Sequence, residues 1–327
     1  MTATLNHLPP TPLVDEVLDP FPPAPQDIVS MWGRSSVSPF TIGADREVHE
    51  LPGGGLVGFV RKGRFAVMAT DPIAPPGRED RTLDEALELL RSLRLKPVVV
   101  AATDPAPYVA RGLFTMPVAD DPTLDLSTFS LSGKRRSSIR HSVTSARRAG
   151  LTVRDWSPEL IPAAAEVSAQ WLATKRGGEM GFTLGRFDPD ELSHLDCRVA
   201  LDGEGRVVGL VTWHRFDNGD ARVLDLMRRV PDAPNPTMDL LVAQSLLDFA
   251  GQGVRTASLG SVPRSHGNLA EKIYPTVSLR RYKDKYAPQW SERHLVTSGR
   301  ASVPGAMLAV AKSFSPDGLI AACRHNR

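Results

Sequence analysis

Residues 133–150 read Gly-Lys-Arg-Arg-Ser-Ser-Ile-Arg-His-Ser-Val-Thr-Ser-Ala-Arg-Arg-Ala-Gly and hold six cations: Lys134, Arg135, Arg136, Arg140, Arg147 and Arg148. Ser132 suits a helix N-cap and Gly150 a C-terminal stop, so the stretch reads as a helix of about four turns. Ile139, Val143 and Ala146 lie along one side, and Arg136, Arg140 and Arg147 follow a neighbouring stripe. No Asp or Glu occurs between 133 and 150. The i,i+4 ion pairs that accompany an ordinary solvated charged helix are therefore missing, which points to phosphate as the partner. Arg280, Arg281, Lys283 and Lys285 alternate with Tyr282 and Tyr286 in a stretch that reads as a strand, where rings can stack on unpaired bases beside backbone-binding cations. Glu179 precedes a Gly-Phe-x-Leu-Gly loop and is a candidate for lining an acceptor pocket, with a solvated or capping role as the alternative. His141 reads as an RNA-facing or surface residue, and His214, beside Trp213 on a strand, as packing.

The elements that would position these groups fill a chain of 327 residues, enough for about two domains of roughly 150 residues or one large one. Net charge is +2, unevenly spread: residues 1–130 carry 11 Lys/Arg against 17 Asp/Glu, and residues 131–327 carry 28 against 20. That asymmetry directs the search for a polyanion site to the second part. Cys197 and Cys323 lie far apart without metal-ligand spacing, so neither a disulfide framework nor a structural zinc is expected. No signal-peptide pattern and no run of eighteen apolar residues occurs, giving a cytoplasmic expectation.

Prolines at 9, 10, 12, 20, 22, 23 and 25 mark residues 1–35 as a flexible arm. Residues 46–70 read as a meander of antiparallel strands around a triple-glycine turn. A helix capped by Thr82 follows, then a strand at 98–102, a short helix at 107–111 and a strand at 113–119, closed by an acidic connector from Asp120 to Asp125. The second half repeats this logic: a helix at 158–175, three strands at 198–201, 207–215 and 221–227, a helix at 238–250, a strand at 256–260, a short helix at 269–273 and a strand at 277–282. This order predicts an α/β (α+β) fold of tandem acetyltransferase-like units with mixed, largely antiparallel sheets. The units span 36–130 and 151–295, the basic helix 131–150 lies between them, and a helical tail covers 296–327. Residues 304–323 read as two amphipathic helices that pack on the core, with a membrane-surface contact as the alternative.

The basic helix, Trp171 with Lys175, the run from Glu179 to Phe187, Asp225-Leu226-Met227-Arg228, Thr237-Met238-Asp239, Leu259-Gly260 and the segment from Arg281 to Trp290 together resemble the catalytic domain of lysyl-phosphatidylglycerol synthases over roughly residues 40–295. That family sets two acetyltransferase-like units in tandem and moves an aminoacyl group from tRNA to a lipid hydroxyl. Soluble relatives include seryl-tRNA-dependent enzymes of antibiotic biosynthesis. The resemblance implies that Asp225 and Arg228 are catalytic and that Lys283 or Lys285, with Tyr282, binds substrate. It also implies aminoacyl-tRNA as co-substrate and no other cofactor or metal, because the donor is already an activated ester. Residues three apart point to opposite faces of a regular strand, so Asp225 and Arg228 need a strand end or a bulge to converge.

Two departures from the membrane-bound members, no multi-helix region in front and a short Ser-Val-Pro-Arg-Ser-His-Gly segment after Gly260, place a soluble hydroxyl, hydroxylamine or amine acceptor first and phosphatidylglycerol second. An acetyl-CoA transferase is disfavoured, since residues 228–238 lack the glycine-rich turn that would cradle a pyrophosphate. A silent RNA-binding protein is disfavoured by the Asp225 to Arg228 segment and by Lys283 and Lys285.

Overall fold

The computed structural model describes residues 24–175, 179–264 and 276–314. The expected helix at 269–273, most of the Pro-rich arm, the distal part of the tail and Cys323 lie outside them. Strands β1 (Glu47–Glu50), β2 (Leu56–Lys62) and β3 (Phe65–Met68) form the expected antiparallel meander. After helix α2 (Glu79–Ser92), strand β4 (Lys96–Ala102) pairs parallel with β3, and the short helix α3 (Ala106–Ala110) follows. The second half builds the same unit. Strands β6 (Thr152–Asp155), β7 (Asp196–Leu201), β8 (Val207–Phe216) and β9 (Ala221–Arg229) are antiparallel, and after helix α6 (Thr237–Gly251) strand β10 (Thr256–Ser258) pairs parallel with β9. A meander, a covering helix and a parallel return strand thus occur twice, the acetyltransferase-like arrangement.

Two strands weld the halves together. Strand β5 (Phe114–Asp125) pairs with β10 on one side and with β12 (Gln289–Thr297) on the other, and β12 in turn pairs with β4. Among the described residues the strands run β1-β2-β3-β4-β12-β5-β10-β9-β8-β7-β6 without a break, and β11 (Val262–Pro263) pairs beside β5. A strand from the far end of the chain therefore sits inside the N-terminal half. Helices α4 (Ser137–Arg148), α5 (Ile161–Ala173) and α6 cover the second half, whose core includes Ile139, Val167, Leu210, Trp213 and Phe249. No helix among the described residues is long and apolar enough to cross a membrane.

Several expectations are corrected. Residues Pro25–Trp32 form helix α1, not part of a flexible arm. Proline at the first helical position lacks only an N–H that would be unpaired anyway, and Asp27 accepts the Ala24 amide at 3.2 Å while Ile28 and Val29 are buried. Helix α2 starts at Glu79, so Thr82 is buried inside it and is not its cap. Helix α4 starts at Ser137, which leaves Lys134 and Arg135 in the turn before it. Residues 276–284 form helix α7 (Thr276–Asp284) and not a strand. Thr276 and Lys283 are buried one helical heptad apart, while Val277 is exposed. Helix α8 (Val303–Phe314) packs on β2 and β3 through Ala306, Ala309 and Ser313.

The acidic connector is the buried end of β5. Asp120 accepts Arg264 at 2.6 Å and Arg280 at 2.8 Å. The fully buried Asp121 accepts Arg293 at 2.6 Å, Ser36 at 2.7 Å and Ser258 at 2.5 Å, tying the N-terminal segment, β10 and β12 to one carboxylate. Asp121→Ala would leave Arg293 buried without its counter-charge, which costs about 3–5 kcal/mol. The expected result is a large fall in the urea unfolding midpoint at an unchanged slope. A loss of less than about 1 kcal/mol would show that Arg293 finds water or another partner.

Candidate functional site

Strands β9 and β10 stay paired only from Ala221 and Thr256 to Val223 and Ser258, while β9 continues to Arg229. Asp225 and Arg228 lie on that unpaired run. On its other edge β9 carries a bulge, one of the two devices their spacing allowed: Val211 and Trp213 of β8 face Met227 and Leu224, so β9 holds one extra residue between these pairs. The Leu226 amide freed by the bulge donates to Thr212 Oγ1 at 3.0 Å. Both side chains then reach the same segment, residues 179–187. Asp225 accepts the Gly185 amide at 2.7 Å, and a Cβ at Gly185 would fall 1.8 Å from its carboxylate, so only glycine fits there. Arg228, 2 % exposed, donates to Glu179 and to Ser168 of α5, and its guanidinium stacks on Trp171 at 4.8 Å. Glu179 also accepts the Phe187 amide at 3.0 Å.

His214 joins this group. Its Nε2 lies 3.3 Å from Asp225 Oδ2, and its ring meets Phe40 edge-on at 5.0 Å. Reading it as packing missed the contact, because the alternation that buries Trp213 turns its neighbour to the face Asp225 occupies.

Lys283 is buried and donates to the Gly260 carbonyl at 2.6 Å. Burial pushes its pKa down to about 7, with Asp121 opposing the shift. A Cβ on Gly260 would sit 3.3 Å from the Leu224 carbonyl and 3.6 Å from Lys283 Nζ, so Gly260 is the neighbour that the amine and the residue before Asp225 share. Lys285 is held elsewhere: it pairs with Asp239 in the first turn of α6 at 3.0 Å and lies over the Tyr282 ring. Tyr282 packs against the core, with its hydroxyl 3.3 Å from that of Tyr286, and burial raises both phenols. Glu179, Asp225, Arg228 and Lys283 are thus gathered around the open end of β9, while Lys285 and Tyr282 serve the α6–α7 junction.

The cations divide likewise. Arg136 donates to the Tyr286 and Ser130 carbonyls and stacks on Phe129, Arg140 to the Leu131 and Gly133 carbonyls, and Arg147 to Gln244. Arg280 stacks on Trp290 at 4.1 Å and pairs with Asp120. Lys134, Arg135, Arg148 and Arg281 are exposed and carry no ion pair among the described residues. The buried Cys197 thiol is pushed up to about 12, out of nucleophile range.

Residues 27–297 match the family model described as phosphatidylglycerol lysyltransferase, C-terminal. The lysylphosphatidylglycerol biosynthesis bifunctional protein of Mycobacterium avium (strain 104) is 30 % identical over 78 % of this chain, and the phosphatidylglycerol lysyltransferase of Bacillus subtilis (strain 168) is 25 % identical over 83 %. The match spans 25 % and 34 % of those two proteins. The solved structure of L-PGS from Bacillus licheniformis superposes with a TM-score of 0.74 at 26 % identity, covering 84 % of this chain and 91 % of that one. The C-terminal domain of a putative lysylphosphatidylglycerol synthetase from Agrobacterium fabrum, at 22 % identity and a TM-score of 0.76, covers 87 % and 93 % and shares the fold. With the family model matched over residues 27–297 and a relative 30 % identical over 78 % of the chain, the chain belongs to the family of phosphatidylglycerol lysyltransferase C-terminal domains.

Proposed function

We propose that the chain transfers an aminoacyl group from aminoacyl-tRNA to a hydroxyl of phosphatidylglycerol. The observation that carries this is the convergence of Asp225 and Arg228 through the β9 bulge onto the 179–187 segment. The acceptor oxygen attacks the ester carbonyl carbon, the tRNA ribose oxygen leaves, and the acceptor proton passes to that oxygen. Asp225 offers a carboxylate to an ammonium or hydroxyl of the substrates. Arg228 holds Glu179 and with it the wall of the site, and Lys283, titrating near neutrality, supplies positive charge or moves the proton. The names of the relatives favour the lipid over the soluble acceptor that the sequence placed first, and they make lysyl-tRNA the first donor to test. Incubation of the protein with labelled lysyl-tRNA and phosphatidylglycerol vesicles is expected to move label into the chloroform phase. Label appearing only in a soluble hydroxylamine or amine acceptor would restore the other reading.

Exposed, unpaired cations are the ones free to meet phosphate. Replacing Lys134, Arg135 and Arg148 together by Gln is expected to weaken tRNA binding at least tenfold at low salt. It should also flatten the slope of log K against log salt by about 2, since each lost phosphate contact removes about 0.7–0.9. An unchanged slope would move the tRNA path off this face. Arg136, Arg140 and Arg147 are poorer probes, because their replacement also removes bonds within the protein.

A further inference from the structure

Arg46 stands outside the motifs quoted above, yet its side chain is 3 % exposed, its Nη1 lies 3.6 Å from the exposed Asp45 carboxylate, and its other two nitrogens reach two separate carbonyls. Nε donates to the Phe40 carbonyl at 2.9 Å and Nη2 to the Phe182 carbonyl at 2.7 Å, with the guanidinium 4.6 Å above the Phe182 ring. Phe182 needs such a clamp. Its φ of 69° lies in the left-handed region that an aromatic residue avoids, and it persists only where the surroundings impose it.

From these two carbonyls, two short paths lead to the two oxygens of one carboxylate. Phe182 lies in the 179–187 segment, whose Gly185 amide donates to Asp225 Oδ1 at 2.7 Å. Phe40 lies edge-on against His214, whose Nε2 is 3.3 Å from Asp225 Oδ2. Helix α8 adds a hold of its own, since the Gly181 amide donates to the Phe314 carbonyl at 3.0 Å and the rings of Phe182 and Phe314 meet edge-on. A planar fork spans two carbonyls in fixed directions from two separate nitrogens, whereas a lysine has a single nitrogen from which to donate.

We propose that Arg46, contributed by the N-terminal half, is a positioning residue that sets the orientation of the Asp225 carboxylate through Phe182 and Phe40. Its effect on transfer rests on the function proposed above, but its effect on the 179–187 segment does not. The test therefore reads both. Arg46→Met keeps the buried volume without the fork, and Arg46→Lys keeps the charge and N–H donors on one nitrogen without the fork. Amide exchange of residues 181–187 is followed by mass spectrometry against the β8 peptide, alongside tRNA affinity and single-turnover transfer at saturating lysyl-tRNA with phosphatidylglycerol vesicles.

For Arg46→Met, exchange in 181–187 is expected to rise at least tenfold with β8 unchanged, and transfer to fall at least tenfold with tRNA affinity within twofold. Arg46→Lys is expected to fall between this variant and the wild type. If Arg46→Met does not fold, Arg46→Lys decides: faster exchange confined to 181–187 supports the assignment. Unchanged exchange in 181–187, or a rise shared equally by β8, overturns it. A wild-type protein that transfers to no acceptor would remove the functional reading and leave the exchange result to decide the positioning role.

Discussion

Asp225→Asn is expected to lower single-turnover transfer at least about a hundredfold while leaving tRNA affinity within twofold. Asn keeps the volume and an oxygen for the Gly185 amide, so the 179–187 segment stays in place and the loss reports the charge alone. A factor of one hundred is about 2.7 kcal/mol of transition-state stabilisation, within the range of a single positioned polar group. Arg228→Met should lose transfer to a similar extent by a different route. It leaves Glu179 without its partner and frees Trp171 and Ser168, so the segment should loosen as well. A rate within tenfold of wild type in Asp225→Asn would remove that residue from the reacting centre. Single-turnover measurement separates these losses from defects in substrate binding or release.

The second large effect is a pH dependence of stability. Lys283 has its pKa lowered to about 7 in the folded chain against 10.5 in the unfolded one. Between these values the unfolded state binds one more proton, so stability rises with pH across that window. Below about pH 7 both states are protonated, and the full cost of burying the ammonium is present. The lowering amounts to a few kcal/mol. Lys283→Met is expected to be more stable than wild type at pH 6–7 and to lose most of the rise between about pH 7 and 10. Transfer should fall in the same variant, because the amine bound to Gly260 is gone. Parallel stability curves for the two proteins over that range would mean that Lys283 is hydrated or paired in solution.

These effects concern residues the sequence singled out, but the reasons for them were unevenly legible there. The meander at 47–68, the strands from 196 to 229 and helices α2, α5 and α6 follow from local periodicity and turn chemistry, because each is stabilised by near neighbours in the chain. Spacing alone required a strand end or a bulge, since Asp225 and Arg228, three apart, cannot share a face of a regular strand, and the structure supplies the bulge. Helix α7 was misread as a strand because cations interleaved with Tyr282 and Tyr286 suggested an extended segment. What decides it is the burial of Thr276 and Lys283 against β11 and Gly260, which is set by residues distant in the chain.

The same reason accounts for the contacts that could not be read locally. Asp120 and Asp121 read as an acidic connector because the arginines that neutralise them come from positions 264, 280 and 293. Strand β12 and the inward role of Arg46 depend on pairing partners more than 130 residues away, at 114–123 and at Phe182. His214 was assigned to packing because its contact with Asp225 depends on register between two strands, not on its own neighbours. By itself the sequence determined the local elements, the family's motifs and which residues could carry the chemistry. The fold decided which of their charges are free, because whether an arginine meets a phosphate, a carbonyl or a buried carboxylate depends on what long-range packing places within about 3 Å of it.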